Sequence, residues 1–177
     1  MEEFFLGTLR KCYVLDLSLD FIVCPDIVAR GCDSLRFSLR YASESLSTAP
    51  RLALAVQDGM MENAVRSAVL DGTFTHLFVG GTVEWKWETA AMWVKVAHDH
   101  GMKCHIGRCG TLRALDRAAA MEADSVDSAS FVRNDSWHIV RQFQGREART
   151  EARAGQLGLF DSSNERATSD GSRGTVL

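Results

Sequence analysis

Apolar residues recur in short bursts along the chain, and after most bursts they return every three or four positions in a longer, more polar stretch. The bursts are DFIVCPD at Asp20–Asp26, LALAVQDG at Leu52–Gly59, THLFVGG at Thr75–Gly81, KCHIGRCG at Lys103–Gly110 and ADSVDSA at Ala123–Ala129. Their length and flanking glycines predict five strands, and the stretches between them predict helices. After the first strand, Asp33 can cap a helix that aligns Leu35, Leu39, Ala42 and Leu46. MMENAVRSAVLDG follows the second, turning Val65 and Val69 inward and stopping at Gly72. ETAAMWVKVAHDHG follows the third, with Ala90, Val94 and Ala97 on one side and Gly101 at its end. Thr111 caps the fourth helix, whose Leu112, Leu115 and Ala119 face in, and EEFFLGTLRKCYVLDL reads as a helix ahead of the first strand.

Alternating strands and helices predict an α/β fold with a parallel sheet and right-handed crossovers. Ligands then belong at the carboxyl ends of the strands. Asp26, Gln57, Asp58, Gly80, Gly81, His105, Gly107 and Asp127 all fall there. Taken singly, each acid is as well explained as a cap for the next helix. Their convergence is what suggests a site. A carboxylate accepts from ring and exocyclic N–H donors and an amide donates to a carbonyl, so Asp26 and Gln57 match a purine-like edge, with the Gly81 N–H as a second donor.

Composition narrows this picture. The chain has 177 residues, enough for one core but short of the roughly 250 typical of a complete eight-stranded barrel. Its net charge of −3 argues against indiscriminate nucleic-acid binding, while leaving room for a local basic face at Arg133, Arg141, Arg146, Arg149 and Arg153. Glu147 and Glu151 interleave with these arginines, which fits a solvated helix face equally well. The five cysteines form no CxxC pair and read as core residues in a reducing compartment. The acids of MEEFFLGTLRKC do not suit a signal peptide, and a cytoplasmic location is expected. Residues 1–145 read as the folded domain; 146–177 read as a charged segment, GREARTEARAG, and a tail expected to be disordered.

LALAVQDG, THLFVGG, HIGRCG and ADSVDS, in this order, resemble segments of the queuine and archaeosine tRNA-guanine transglycosylase family, and DFIVCPD resembles a further one. The likeness runs from about Asp20 to Asn134. It implies a partial (β/α)8 TIM-type barrel holding about five of the later units. It also implies that Asp26 and Gln57 recognise the base, that the Gly81 N–H meets a purine O6 beside Gly80 and Gly107, and that Asp127 is the nucleophile. The implied reaction exchanges guanine for a 7-deazaguanine through a covalent glycosyl ester, with the logic of a retaining glycosidase.

Departures from the family pattern refine the expectation. No DSGG-type segment supplies a general acid/base, and the chain reads as though it begins partway through the fold. After Asp127 there is no cysteine, so the family's CxCxxC...H zinc site is missing; no metal and no cofactor are expected, and His138 reads as a surface residue. The shorter, zinc-free pattern resembles the phage-type relatives that modify DNA, which makes DNA the expected substrate and tRNA the less favoured one. The alternative is a catalytically incomplete fragment or accessory nucleic-acid-binding subunit. An open five-stranded sheet would expose its edges and inner face, to be covered by a second copy or a complementing chain. In the tail, Gln156, Leu157, Leu159 and Phe160 resemble the pentapeptide with which DNA-processing proteins bind a sliding clamp; alternatively, Leu157 and Phe160 pin the tail to the barrel. Trp93 reads as core and Trp85 or Trp87 as a base-stacking candidate, while Asp124 reads as a structural acid and His98 and His100 as dipole partners. An unrelated phosphate-binding barrel using Gly80, Gly81, Gly107 and Gly110 is disfavoured, because the rim acids would repel phosphate.

Overall fold

The computed structural model of the chain describes residues 2–46, 49 and 51–151. Its elements run α1 (Glu2–Val14), β1 (Ile22–Val23), α2 (Cys32–Ser45), β2 (Leu52–Val56), α3 (Glu62–Ala68), β3 (His76–Val79), α4 (Val83–Asp99), β4 (Lys103–Ile106), α5 (Leu112–Ala120), β5 (Ser125–Val126) and α6 (Ala129–Arg133). A further helix occupies 137–151. All five predicted strands form, every neighbouring pair is parallel, and their order in the sheet is β1-β2-β3-β4-β5. An order that never reverses is that of a barrel segment, since a doubly wound sheet has a switch point.

Alternation along each strand divides the sheet into two faces. Leu52, Leu54 and Val56 of β2, Leu77 and Val79 of β3, and Cys104 and Ile106 of β4 join the core with the helices. There they meet Leu35 and Ala42 of α2, Val65 of α3, Trp93, Val94 and Ala97 of α4, and Leu115 of α5. Cys24, Cys104 and Cys109 are buried free thiols, and burial pushes those of Cys24 and Cys104 up to about 12.

The opposite face carries Phe21, His76, Phe78 and His105, and their contacts measure the curl. In a flat sheet the strands bearing Phe21 and His105 would lie about 14 Å apart, three spacings of about 4.8 Å. Their ring centroids are 5.2 Å apart, and Phe21 also lies 4.5 Å from His76. The sheet is therefore curled into a half-barrel whose inner face carries its own clustered rings. The inner face is thus partly covered: the small Ala53 and Ala55 of β2 alternate with the core-facing residues and are buried, which leaves room for Phe21 to reach across, while Phe21 and Phe78 stay half-buried.

Other expectations change in detail. Asp33 does not cap α2; Gly31 does, and Asp33 sits in the first turn, paired with Arg36. At φ +47, Gly31 passes so close to the loop after β2 that a Cβ would lie 2.6 Å from the Gly59 carbonyl oxygen. α4 begins at Val83, so Trp85, Lys86 and Trp87 are helical. Thr111 caps α5 as expected, accepting from the Ala114 N–H, but the buried stripe is Ala114, Leu115 and Ala118, with Leu112 and Ala119 half-buried. Among the described residues no helix is long and apolar enough to cross a membrane.

Candidate functional site

The rim formed by the carboxyl ends of the strands gathers the predicted residues. Gln57 follows β2 and is only 2% exposed. Its Oε1 accepts from the Ala29 N–H at 2.7 Å, and its Nε2 lies at donor distance from Asp26 Oδ2 (2.8 Å), the Ile27 carbonyl (3.1 Å) and Ser34 Oγ (2.9 Å). The amide thus holds the loop between β1 and α2 in place. Asp26 is exposed at the lip of that loop. Protein atoms around it raise its carboxyl above the usual range, an effect its bonds to backbone and to Gln57 offset only in part.

Beyond β3, Gly81 has φ +74, and a Cβ there would strike Asp58 and lie 2.6 Å from the Trp85 ring. Asp58 accepts from Thr82 twice, from the hydroxyl at 2.6 Å and the backbone N–H at 2.7 Å. Partial burial raises its carboxyl, but the Thr82 bonds and the charge of Arg108 outweigh this and leave it lowered. The Gly80 and Gly107 N–H groups are spent on the Val56 and Val79 carbonyls, 2.9 and 3.1 Å away. The Gly107 carbonyl receives Lys86 Nζ at 2.6 Å.

Asp127, one residue past β5, has a side chain 52% exposed. Its Oδ1 accepts from the Arg108 N–H at 2.7 Å, and its Oδ2 lies 3.5 Å from His105 Nε2, within electrostatic reach but longer than a well-formed hydrogen bond. Burial pushes His105 below the usual histidine range, while Asp127 and Asp20 pull it back in part.

Arg108 and Lys86, which were not expected at this rim, belong to it, and His105, which was, takes a part there that the sequence did not show. Arg108 takes a left-handed φ of +61, and its guanidinium crosses from the end of β4 to the Gly81 carbonyl. Lys86 is 1% exposed, with its Nζ 4.9 Å from the Trp87 ring centre, and burial lowers its ammonium. His105 was visible in the sequence as a polar residue at a strand end, but nothing there revealed its approach to Asp127.

The remaining candidates find other partners. Trp93 is fully buried, Trp85 packs 6.1 Å from it, and Trp87 takes Arg117 on its ring at 4.6 Å. Asp124 is structural: its Oδ2 accepts from the Cys104 N–H at 2.7 Å and meets His98 Nε2 at 3.0 Å. His100 bonds the Val96 carbonyl at 2.8 Å. Arg146 pairs with Asp116 at 3.1 Å, and Arg133, Arg141 and Arg149 are exposed. Arg153 and the tail residues Gln156, Leu157, Leu159 and Phe160 lie outside the described residues. Among the described residues no cluster of three or more His, Cys, Asp or Glu side chains could hold a metal ion. A cavity of about 460 Å³ lies between α1 and α2, lined largely by Leu6, Leu9, Ile22 and Leu46. None of the rim residues lines it.

No family model matches the sequence, and no curated protein matches it.

Proposed function

We propose that this chain is a transglycosylase-type half-barrel that binds a purine-like base of nucleic acid at its rim, carries the nucleophilic acid Asp127, and is catalytically incomplete by itself. The observation that carries the reading is the presentation of Asp127. It stands exposed at a strand end, one oxygen tethered by the Arg108 N–H and the other turned toward His105. In the exchange, an Asp127 oxygen would bond to the anomeric carbon as the glycosidic C–N bond breaks and its electron pair leaves with guanine. A ring nitrogen of the incoming 7-deazaguanine would then attack that carbon, releasing the carboxylate and losing its own proton. DNA is the favoured substrate, and a base within a duplex would have to leave the stack to reach the rim.

Incompleteness is supported by Gln57, whose amide is fully used inside the protein. A second reading, a complete transglycosylase, is favoured by Asp26 and Asp127 both standing exposed on one rim. The purified chain is to be incubated with guanine-containing single-stranded DNA and labelled guanine. Saturable binding without turnover is the expected result. Turnover that vanishes in Asp127→Ala would establish the second reading, and absence of binding would overturn both.

A further inference from the structure

The ring of His105 is fixed on three sides. It stacks on Phe78 with centroids 5.0 Å apart and planes 17° apart, meets Phe21 edge-on at 5.2 Å, and brings Nδ1 to within 2.8 Å of Ser125 Oγ. His105 and Ser125 are register partners in neighbouring strands, so this contact follows from the pairing of β4 and β5. The remaining nitrogen, Nε2, is buried without a hydrogen-bond partner. A buried polar atom left unpaired is destabilising, so its orientation toward a charged group is informative. What it faces is Asp127 Oδ2, 3.5 Å away, while Oδ1 is taken by the Arg108 N–H.

We propose that Ser125, His105 and Asp127 form a relay in which His105 is a positioning residue for the rim carboxylate. The Ser125 hydroxyl donates to Nδ1, so the ring proton sits on Nε2 and points at Asp127 Oδ2. With Arg108 on one oxygen and His105 on the other, the carboxylate is held in one rotamer with a lone pair of each oxygen still open. The same Nε2–H stabilises the carboxylate that re-forms when the ester breaks. No proton crosses the relay in either step. The inference rests on the reading of Asp127 as the attacking acid, but its geometry is testable without any turnover. Of the charged groups, Asp127 faces His105 from the end of β5 and Asp20 from the segment before β1.

The test is imidazole nitrogen NMR on the full-length labelled chain, without ligand. Expected are the Nε2–H tautomer at neutral pH, a His105 titration midpoint that moves to lower pH in Asp127→Asn, and a shift toward the other tautomer in Ser125→Ala. Asp127→Ser provides a second variant that removes the charge, and His105 should move in the same direction. An Nδ1–H tautomer at neutral pH, or a His105 midpoint unmoved in both Asp127 variants, overturns the relay. A chain that binds no DNA but passes this test refutes the proposed function alone; one that binds DNA and fails it refutes the relay alone.

Discussion

His76 and His105 are buried inside the half-barrel, each with an Nε2 that no hydrogen bond satisfies. Burial holds both below the usual histidine range; for His76 the charges of Lys103 and Arg51 add to the effect, and those of Asp20 and Asp124 oppose it. The unfolded chain protonates these rings near pH 6.5, the folded chain only at lower pH. Below about 6.5 the unfolded state therefore binds more protons, and stability falls as pH drops until the folded values are reached. The melting temperature should be lower at pH 5 than at pH 7.5, and the loss should be smaller in His76→Phe, which keeps the ring contact with Phe21. A loss equal to that of the parent chain would count against the buried neutral ring. At this scale the sequence located Asp26 and Asp127 at strand ends by pattern alone. It could not reveal that Gln57 is consumed internally, because its partners lie 23 to 31 positions away.

The βα units were legible as elements because each pairs a short apolar run with a helical period, signals that survive without tertiary context. What escaped were features set between units. Gly31 replaces Asp33 at the cap because the loops after β1 and β2 pass too closely for a side chain. α4 starts early, where Asp58 of the preceding unit binds Thr82, its N-cap residue, through hydroxyl and backbone N–H. These contacts between loops carry measurable stability. Gly31→Ala combines a left-handed φ with a clash against backbone and should cost about 2–4 kcal/mol in urea unfolding. Gln57→Ala leaves the Ala29 N–H and its neighbours unpaired and should cost about 2–3 kcal/mol, with Asp58→Asn costing less at its exposed position. Equal effects of Gln57→Ala and Asp58→Asn would contradict the buried role of Gln57.

Over the whole molecule, the described residues build five parallel strands in barrel order, the architecture that the pattern of apolar runs predicts. The curl was not readable, since it depends on Phe21 reaching His105 across β2 and β3. That packing covers part of the inner face, with Phe21 and Phe78 still half-buried. Val28, Met61, Val83 and Val132 stand exposed in loops or first turns that follow strands, as Asp26, Asp58, Arg108 and Asp127 do. The most direct measurement is a backbone amide NMR titration of the chain with 7-deazaguanine. Saturable shifts shared by Gly81, Gly107, Arg108 and Asp127 are expected; shifts confined to the α1–α2 cavity, or none at the rim up to the solubility limit of the base, would refute base binding at the rim.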